Sequence, residues 1–415
     1  MTPRAGSGHT GSTAGSSFQV MFVVLFPVPA PRDFAGFAGS IDGIDPLPQG
    51  ASRARLDQLH DVQAALLGHE YLESHRITRW PLGRIGLPED AEGTGPVCAD
   101  VFLVAHTAGG GLWEAWMSAP DQPLDCARFV SWLRPDQHTS PVAVLREHLA
   151  DVTRQVLLAQ GPDEVFPFTV LRLPGDAAPL EAVVADHGED LVRILYLDKS
   201  RLTFKPKVVE EELARDFCLR DEGISLVAAR GALDLRVGES LGADPASQAV
   251  LLPRSALPLL VSIELLLVER MVLRMFLGQV AGSDVPRSLP RLLELKAEML
   301  DGLAEYRGTV AESNRFSAEV TSYGEQVLGL DALYATLTER LDALSFDIAT
   351  RYQQKTNALQ FALTVVLGSF QAAAAVAVIA AVAYQHKPLL VLAWAAGAAL
   401  AAAAAITALL RRRLR

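Results

Sequence analysis

Residues 356–410 read TNALQFALTVVLGSFQAAAAVAVIAAVAYQHKPLLVLAWAAGAALAAAAAITALL, and these 55 residues contain one charged side chain, Lys387. A water-facing surface carries charge far more densely, so this end of the chain reads as membrane-embedded. Two apolar runs lie within it. Ala358–Tyr384 has 27 residues, about 40 Å as a helix, and Leu389–Leu410 has 22, about 33 Å; a hydrocarbon core is about 30 Å thick. Between them stand only Gln385, His386, Lys387 and Pro388. The expectation is a two-helix transmembrane hairpin with these residues as its outer loop.

Basic residues set the expected topology. Arg351 and Lys355 precede the first run, and Arg411, Arg412, Arg413 and Arg415 follow the second, against Lys387 in the loop. That asymmetry puts both termini in the cytoplasm and the hairpin in the cell inner (plasma) membrane. Residues 1–355 then lie in the cytoplasm too.

The charge balance divides at the same place. The chain is 415 residues long with a net charge of −11; residues 356–415 carry +5, which leaves −16 on residues 1–355. So acidic a body does not attract phosphate, so no nucleic-acid partner is expected. With 50% hydrophobic residues and a mean hydropathy of +0.22, the chain is not intrinsically disordered. Three cysteines, Cys98, Cys126 and Cys218, stand too far apart for a metal motif and are odd in number, which suits a reducing compartment.

Residues 1–17, rich in Gly, Ser and Thr, read as a disordered tail, and 18–175 as an α+β cytosolic domain. In that domain Phe18–Pro27 reads as a strand. A secretory leader is the competing reading, but Gln19 and Pro27 interrupt the apolar run. Leu56, Leu59, Val62 and Leu66 form a helical stripe with Ser52 as N-cap. Cys98–Ala105 and Leu112–Met117 read as strands joined through Gly109-Gly110-Gly111. Ser140-Pro141 starts a helix that carries Leu145, Leu149, Val152 and Val156, and Val165–Leu173 is a strand. The succession strand, helix, strand, strand, helix, strand suits a ferredoxin-like α/β layer.

Residues 176–254 read as a second α/β portion, with strands at Leu191–Leu197 and within Ile224–Val237, a helix at Lys207–Arg215 and a linker at Gly238–Ser247. Leu257–Leu277 is long enough to span a membrane. Glu264, Glu269, Arg270 and Arg274 interrupt it, however, and such charges are too costly in mid-bilayer, so a buried helix is expected.

Residues 255–357 read as a helical stalk. Every seventh residue from Leu292 gives Met299, Tyr306, Ser313, Val320, Val327, Tyr334, Leu341 and Ile348. Three further on stand Leu295, Gly302, Thr309, Phe316, Tyr323, Leu330, Leu337 and Leu344. This coiled-coil-like seam is weakened by Gly302, Gly308, Gly324 and Gly329, with a break expected at 302–308 and a clean stretch from Val320 to Ile348. Helical phase then continues into residues 358–384, with 389–410 as the second span and 411–415 as a basic tail.

Asn357, Gln360, Thr364, Gly368 and Gln371 are spaced 3, 4, 4 and 3 along the first span, on one helical face. An amide facing lipid is costly, so this face must meet protein or water. Two readings stand side by side: a pore wall shared by several copies, and a polar helix–helix contact.

An α/β body, a long helix running into the first span, a short outer loop, a second span and a basic end together resemble the CorA-type metal-ion transporters. The resemblance is architectural over 285–415 and extends only to fold class over 18–250. It implies a homopentamer whose first span lines the pore. Asn357, Thr364, Gly368 and Gln371 would then be pore residues, and Arg411-Arg412-Arg413-Leu414-Arg415 a basic ring. That family ends its first span with Gly-Met-Asn; here the sequence is Val382-Ala383-Tyr384, followed by Gln385-His386-Lys387. A lysine at the mouth repels divalent cations, so magnesium import is not expected. The likeness implies a divergent oligomeric channel or pore-forming effector gated by its cytosolic domain. The alternative is a membrane-tethered sensor or scaffold that binds a protein partner without conduction.

No Walker loop, His-Glu-x-x-His pair or Gly-x-Ser-x-Gly elbow occurs, so no enzyme activity, metal site or cofactor is expected. His69, Glu70, Glu73 and His75 read as a solvated surface. Asp186, His187, Glu189 and Asp190 read as a turn around Gly188, and Trp113, Trp116 and Trp132 as core. The expected partners are the lipid bilayer, further copies of the chain, and a cytosolic protein or small-ligand regulator.

Overall fold

The computed structural model describes residues 16–31, 50–67, 77–89, 92–106, 109–175, 178–200, 202–243, 250–281 and 315–383, with scattered positions in 34–47 and 389–404. The chain divides into two compact units, residues 1–285 with 296–338, and residues 286–295 with 339–415.

The first unit is mixed α/β around a seven-stranded sheet. Its strands are β1 (Phe18–Pro29), β2 (Ile77–Gly86), β3 (Cys98–His106), β4 (Gly110–Gln122), β5 (Phe166–Leu173), β6 (Gly223–Ala228) and β7 (Gly231–Val237). The order is β2-β3-β4-β1-β5-β7-β6. Every neighbouring pair is antiparallel except β5 and β7. The run FQVMFVVLF is β-branched and aromatic with no charge, as suits a strand buried on both faces, and β1 lies between β4 and β5.

Alternation along β1 sends its side chains into two different layers. Phe18, Phe22, Val24 and Phe26 join an apolar core with α2 (Cys126–Leu133), α3 (Pro141–Val152) and α4 (Leu180–Tyr196). Met21, Val23 and Leu25 point to the opposite face, where α6 (Leu257–Ala281) packs with α1 (Ala51–Leu67). Trp113, Trp116 and Trp132 are all buried. The Ser140-Pro141 start is as read: Ser140 accepts a hydrogen bond from the Ala143 amide at 3.0 Å, with Pro141 in the first turn.

Several expectations need correction. The two sequence portions 18–175 and 176–254 contribute to one sheet, because β7 pairs in parallel with β5. The sheet therefore exceeds a four-strand layer, with β2 added at one edge and β7 and β6 at the other. Strand β2 contains Pro81, which hid it from pattern reading; an edge strand tolerates proline, and the register shifts there. Leu191–Leu197 is not a strand but the end of α4, where Leu191, Val192, Ile194 and Leu195 all find burial. Asp186–Asp190 is helical for the same reason: Gly188 lets α4 approach α5 (Pro206–Leu213), and an added Cβ would lie 3.0 Å from Leu213. Ser52 lies inside α1 rather than at its cap.

Helix α6 is buried along 16 of its residues, as its leucines require. The seam expected to be clean from Val320 to Ile348 is interrupted. Helix α7 (Arg315–Val327) ends before Gly329, whose φ of +70° stops the helix, and α8 (Leu330–Ala383) begins anew. On either side the heptad positions Val320, Leu330, Leu337, Leu341 and Ile348 are buried. Gly324 does not merely weaken α7: an added Cβ would lie 2.4 Å from Leu266 of α6, so the glycine permits close packing. The seam upstream of residue 315, the tail at 1–15 and the His69–His75 group lie outside the described residues.

Candidate functional site

Helix α8 holds 54 residues, and its chain-distal half carries the first apolar run. Residues 356–386 contain no Asp, Glu, Lys or Arg. Ten large apolar side chains of this half are exposed, among them Leu359 (71%), Phe370 (71%) and Ile379 (67%). Transferring such groups from water is worth roughly 1.5–3 kcal/mol each when burial is complete, so the run as a whole favours a non-aqueous surround by well over ~10 kcal/mol.

Asn357, Gln360, Thr364, Gly368 and Gln371 all lie on α8 and are all exposed. The Thr364 hydroxyl donates to the Gln360 carbonyl at 2.8 Å, which satisfies it within the helix. The amides of Gln360 and Gln371 remain on the exposed surface. Arg351 is exposed and pairs with Asp347 at 2.8 Å, and Lys355 is exposed. The second run is helical at 389–390, 392–394, 396–398, 400–401 and 404. Gln385, His386, Lys387 and the terminal Arg411, Arg412, Arg413 and Arg415 lie outside the described residues. Among the described residues no helix is long and apolar enough to cross a membrane.

The first unit holds a second concentration of polar groups that sequence reading missed. On the α6 face of the sheet, charges replace apolar residues at alternate strand positions. Asp100 accepts from Arg55 at 2.6 Å and from Arg84 at 2.6 and 3.1 Å. Arg79 reaches Glu114 at 3.4 Å and also pairs with Glu264 of α6, while Trp116 donates to Glu114 at 2.6 Å. Arg172 bonds Asp234 at 2.6 Å, and Ser225 donates to Asp234 at 2.6 Å. Glu269 accepts from the Tyr334 hydroxyl at 3.0 Å, which ties α6 to the start of α8. The signal available in the sequence was period two: Asp100, Glu114, Arg172 and Asp234 each stand among mostly apolar strand residues, with Arg236 two positions beyond Asp234 on the same face.

Burial decides the electrostatics here. Glu264 is desolvated and lies near Glu114, and these push its carboxyl up to about 8 despite the opposing pull of Arg79. The thiols are not activated: burial, followed by Asp190, pushes Cys126 up to about 12, and burial likewise raises Cys98 and Cys218. Among the described residues no group of three His, Cys, Asp or Glu could hold a metal. No protein family, curated protein or solved structure matches the chain.

Proposed function

We propose that residues 358–384 and 389–410 insert into a bilayer as a hairpin. Several copies would gather the Asn357–Gln371 face around a common axis, forming a CorA-like oligomeric channel or pore-forming effector controlled by the first unit. Its four central strands, β3-β4-β1-β5, would be a ferredoxin-like nucleus. The observation that carries this reading is the chain-distal half of α8: a charge-free helical stretch with ten large apolar side chains exposed and a polar stripe along one face. Lipid accommodates the former and rejects the latter, so the stripe needs a neighbour or water.

A second reading, a membrane-tethered sensor or scaffold, draws on the −16 charge of residues 1–355, which suits a basic protein partner. The test is the mass of the detergent-solubilised particle together with ion flux in liposomes. A closed oligomer whose flux changes with Gln371→Leu at unchanged mass supports conduction. A monomer or dimer without flux overturns it and leaves the tether.

A further inference from the structure

A cavity of about 570 Å³ opens at the end of the sheet where β1 leaves and β5 begins, beside the β6–β7 turn. Its size is that of an ordinary small-molecule site. Pro27, Phe166, Leu197 and Leu267 give it apolar walls. Its charged lining is balanced: Arg134, Arg230 and Arg270 against Asp136, Asp163 and Glu164.

The pairing of those six groups is uneven. Arg134 holds Asp136, with its Nε at 2.7 Å, and Glu164 is shared by Arg270 at 3.0 Å and Arg274 at 2.8 Å. Arg230 and Asp163 are left without an ion pair or hydrogen bond among the described residues, one of each sign. Chain geometry brings the two unpaired charges to one rim. The β5–β7 register pairs Phe168 with Ala232, two residues beyond Arg230, and Asp163 lies three residues before Phe166.

We propose that this cavity binds a small zwitterion of the α-amino-acid class with an apolar side chain. Its carboxylate would meet Arg230, its ammonium Asp163, and its side chain the Phe166–Leu267 walls. A plain anion would meet Asp163 and a plain cation Arg230, each of the wrong sign, so a ligand carrying both charges matches the lining best. The site is confined to the first unit, and it stands whether or not the chain conducts.

The test is calorimetric titration of the full chain in detergent with L-leucine and L-phenylalanine. N-acetyl-leucine, which lacks the ammonium, and leucine amide, which lacks the carboxylate, serve as controls. Leucine or phenylalanine is expected to bind, with each control weakened about tenfold or more. Arg230→Gln should weaken leucine about tenfold and leave leucine amide unchanged, and Asp163→Asn should do the same for leucine and leave N-acetyl-leucine unchanged. Both variants lie on the solvent-facing rim, so circular dichroism should show an unaltered fold. No heat from leucine or phenylalanine up to roughly 10 mM overturns the proposal. So does equal binding of leucine and both controls, or binding indifferent to both substitutions in folded protein.

Discussion

Arg172 on β5 and Asp234 on β7, both wholly buried, meet at 2.6 Å across the one parallel strand pair of the sheet. The guanidinium is held further by Glu239 at 3.2 Å and by the Ser255 hydroxyl at 3.2 Å. Burial lowers the arginine's pKa while Asp234 and Glu239 work against that, so the cation depends on these partners. The pair joins segments 62 residues apart and fixes β7 to β5.

Removing one member should therefore cost more than removing both. Arg172→Leu strands Asp234 without its strongest partner and is expected to cost about 3–5 kcal/mol, while the double variant with Asp234→Leu should recover part of that loss. Denaturant unfolding of the full chain, followed by tryptophan fluorescence, measures both. Equal losses in the single and double variants would mean that packing, not charge, sets the cost.

Glu264 should give the protein a falling stability profile between pH 4.5 and 8. Its folded carboxyl titrates at about 8, above the ordinary 4.5, so the native state holds a proton that the unfolded chain has released. Stability from this group is then complete below about 4.5 and lost as pH rises through about 8. Glu264→Gln keeps the shape and removes the titration, so its melting temperature should depend less on pH in that window. A parallel shift of both profiles would contradict this.

Ser140 performs two tasks, accepting from the Ala143 amide at 3.0 Å and donating to the Arg134 carbonyl at 2.6 Å. Ser140→Ala should cost about 1–2 kcal/mol, and Ser140→Asp, which restores only the accepting role, should recover part of it. Thermal unfolding resolves the difference.

Gly324 is a contact glycine. Gly324→Ala drives a methyl group against Leu266 and should cost about 1–3 kcal/mol, with Leu266→Ala in the same chain relieving the clash. Non-additive losses in the double variant are the expected reading.

Much of this molecule was written locally. The β-branched run of β1, the Ser140-Pro141 start, the leucines of α6 and the heptads of α8 each specify their element through contacts within a few residues or through the period of their burial. The apolar run at 358–384 belongs with them, since the absence of charge over 356–386 is a property of the string alone. What pattern could not supply was partnership. Leu191–Leu197 is a mostly apolar run short enough for a strand, yet α4 buries it as helix; Pro81 argues against a strand, yet β2 lies at an edge. The parallel β5–β7 pairing, the matching of Arg79 with Glu264 across 185 residues, and the cavity rim that joins Asp163 to Arg230 all arise from distant segments. Secondary structure follows from short-range sterics and burial period, which the sequence carries by itself. The pairing of buried charges follows from which strands become neighbours, and only the folded chain decides that.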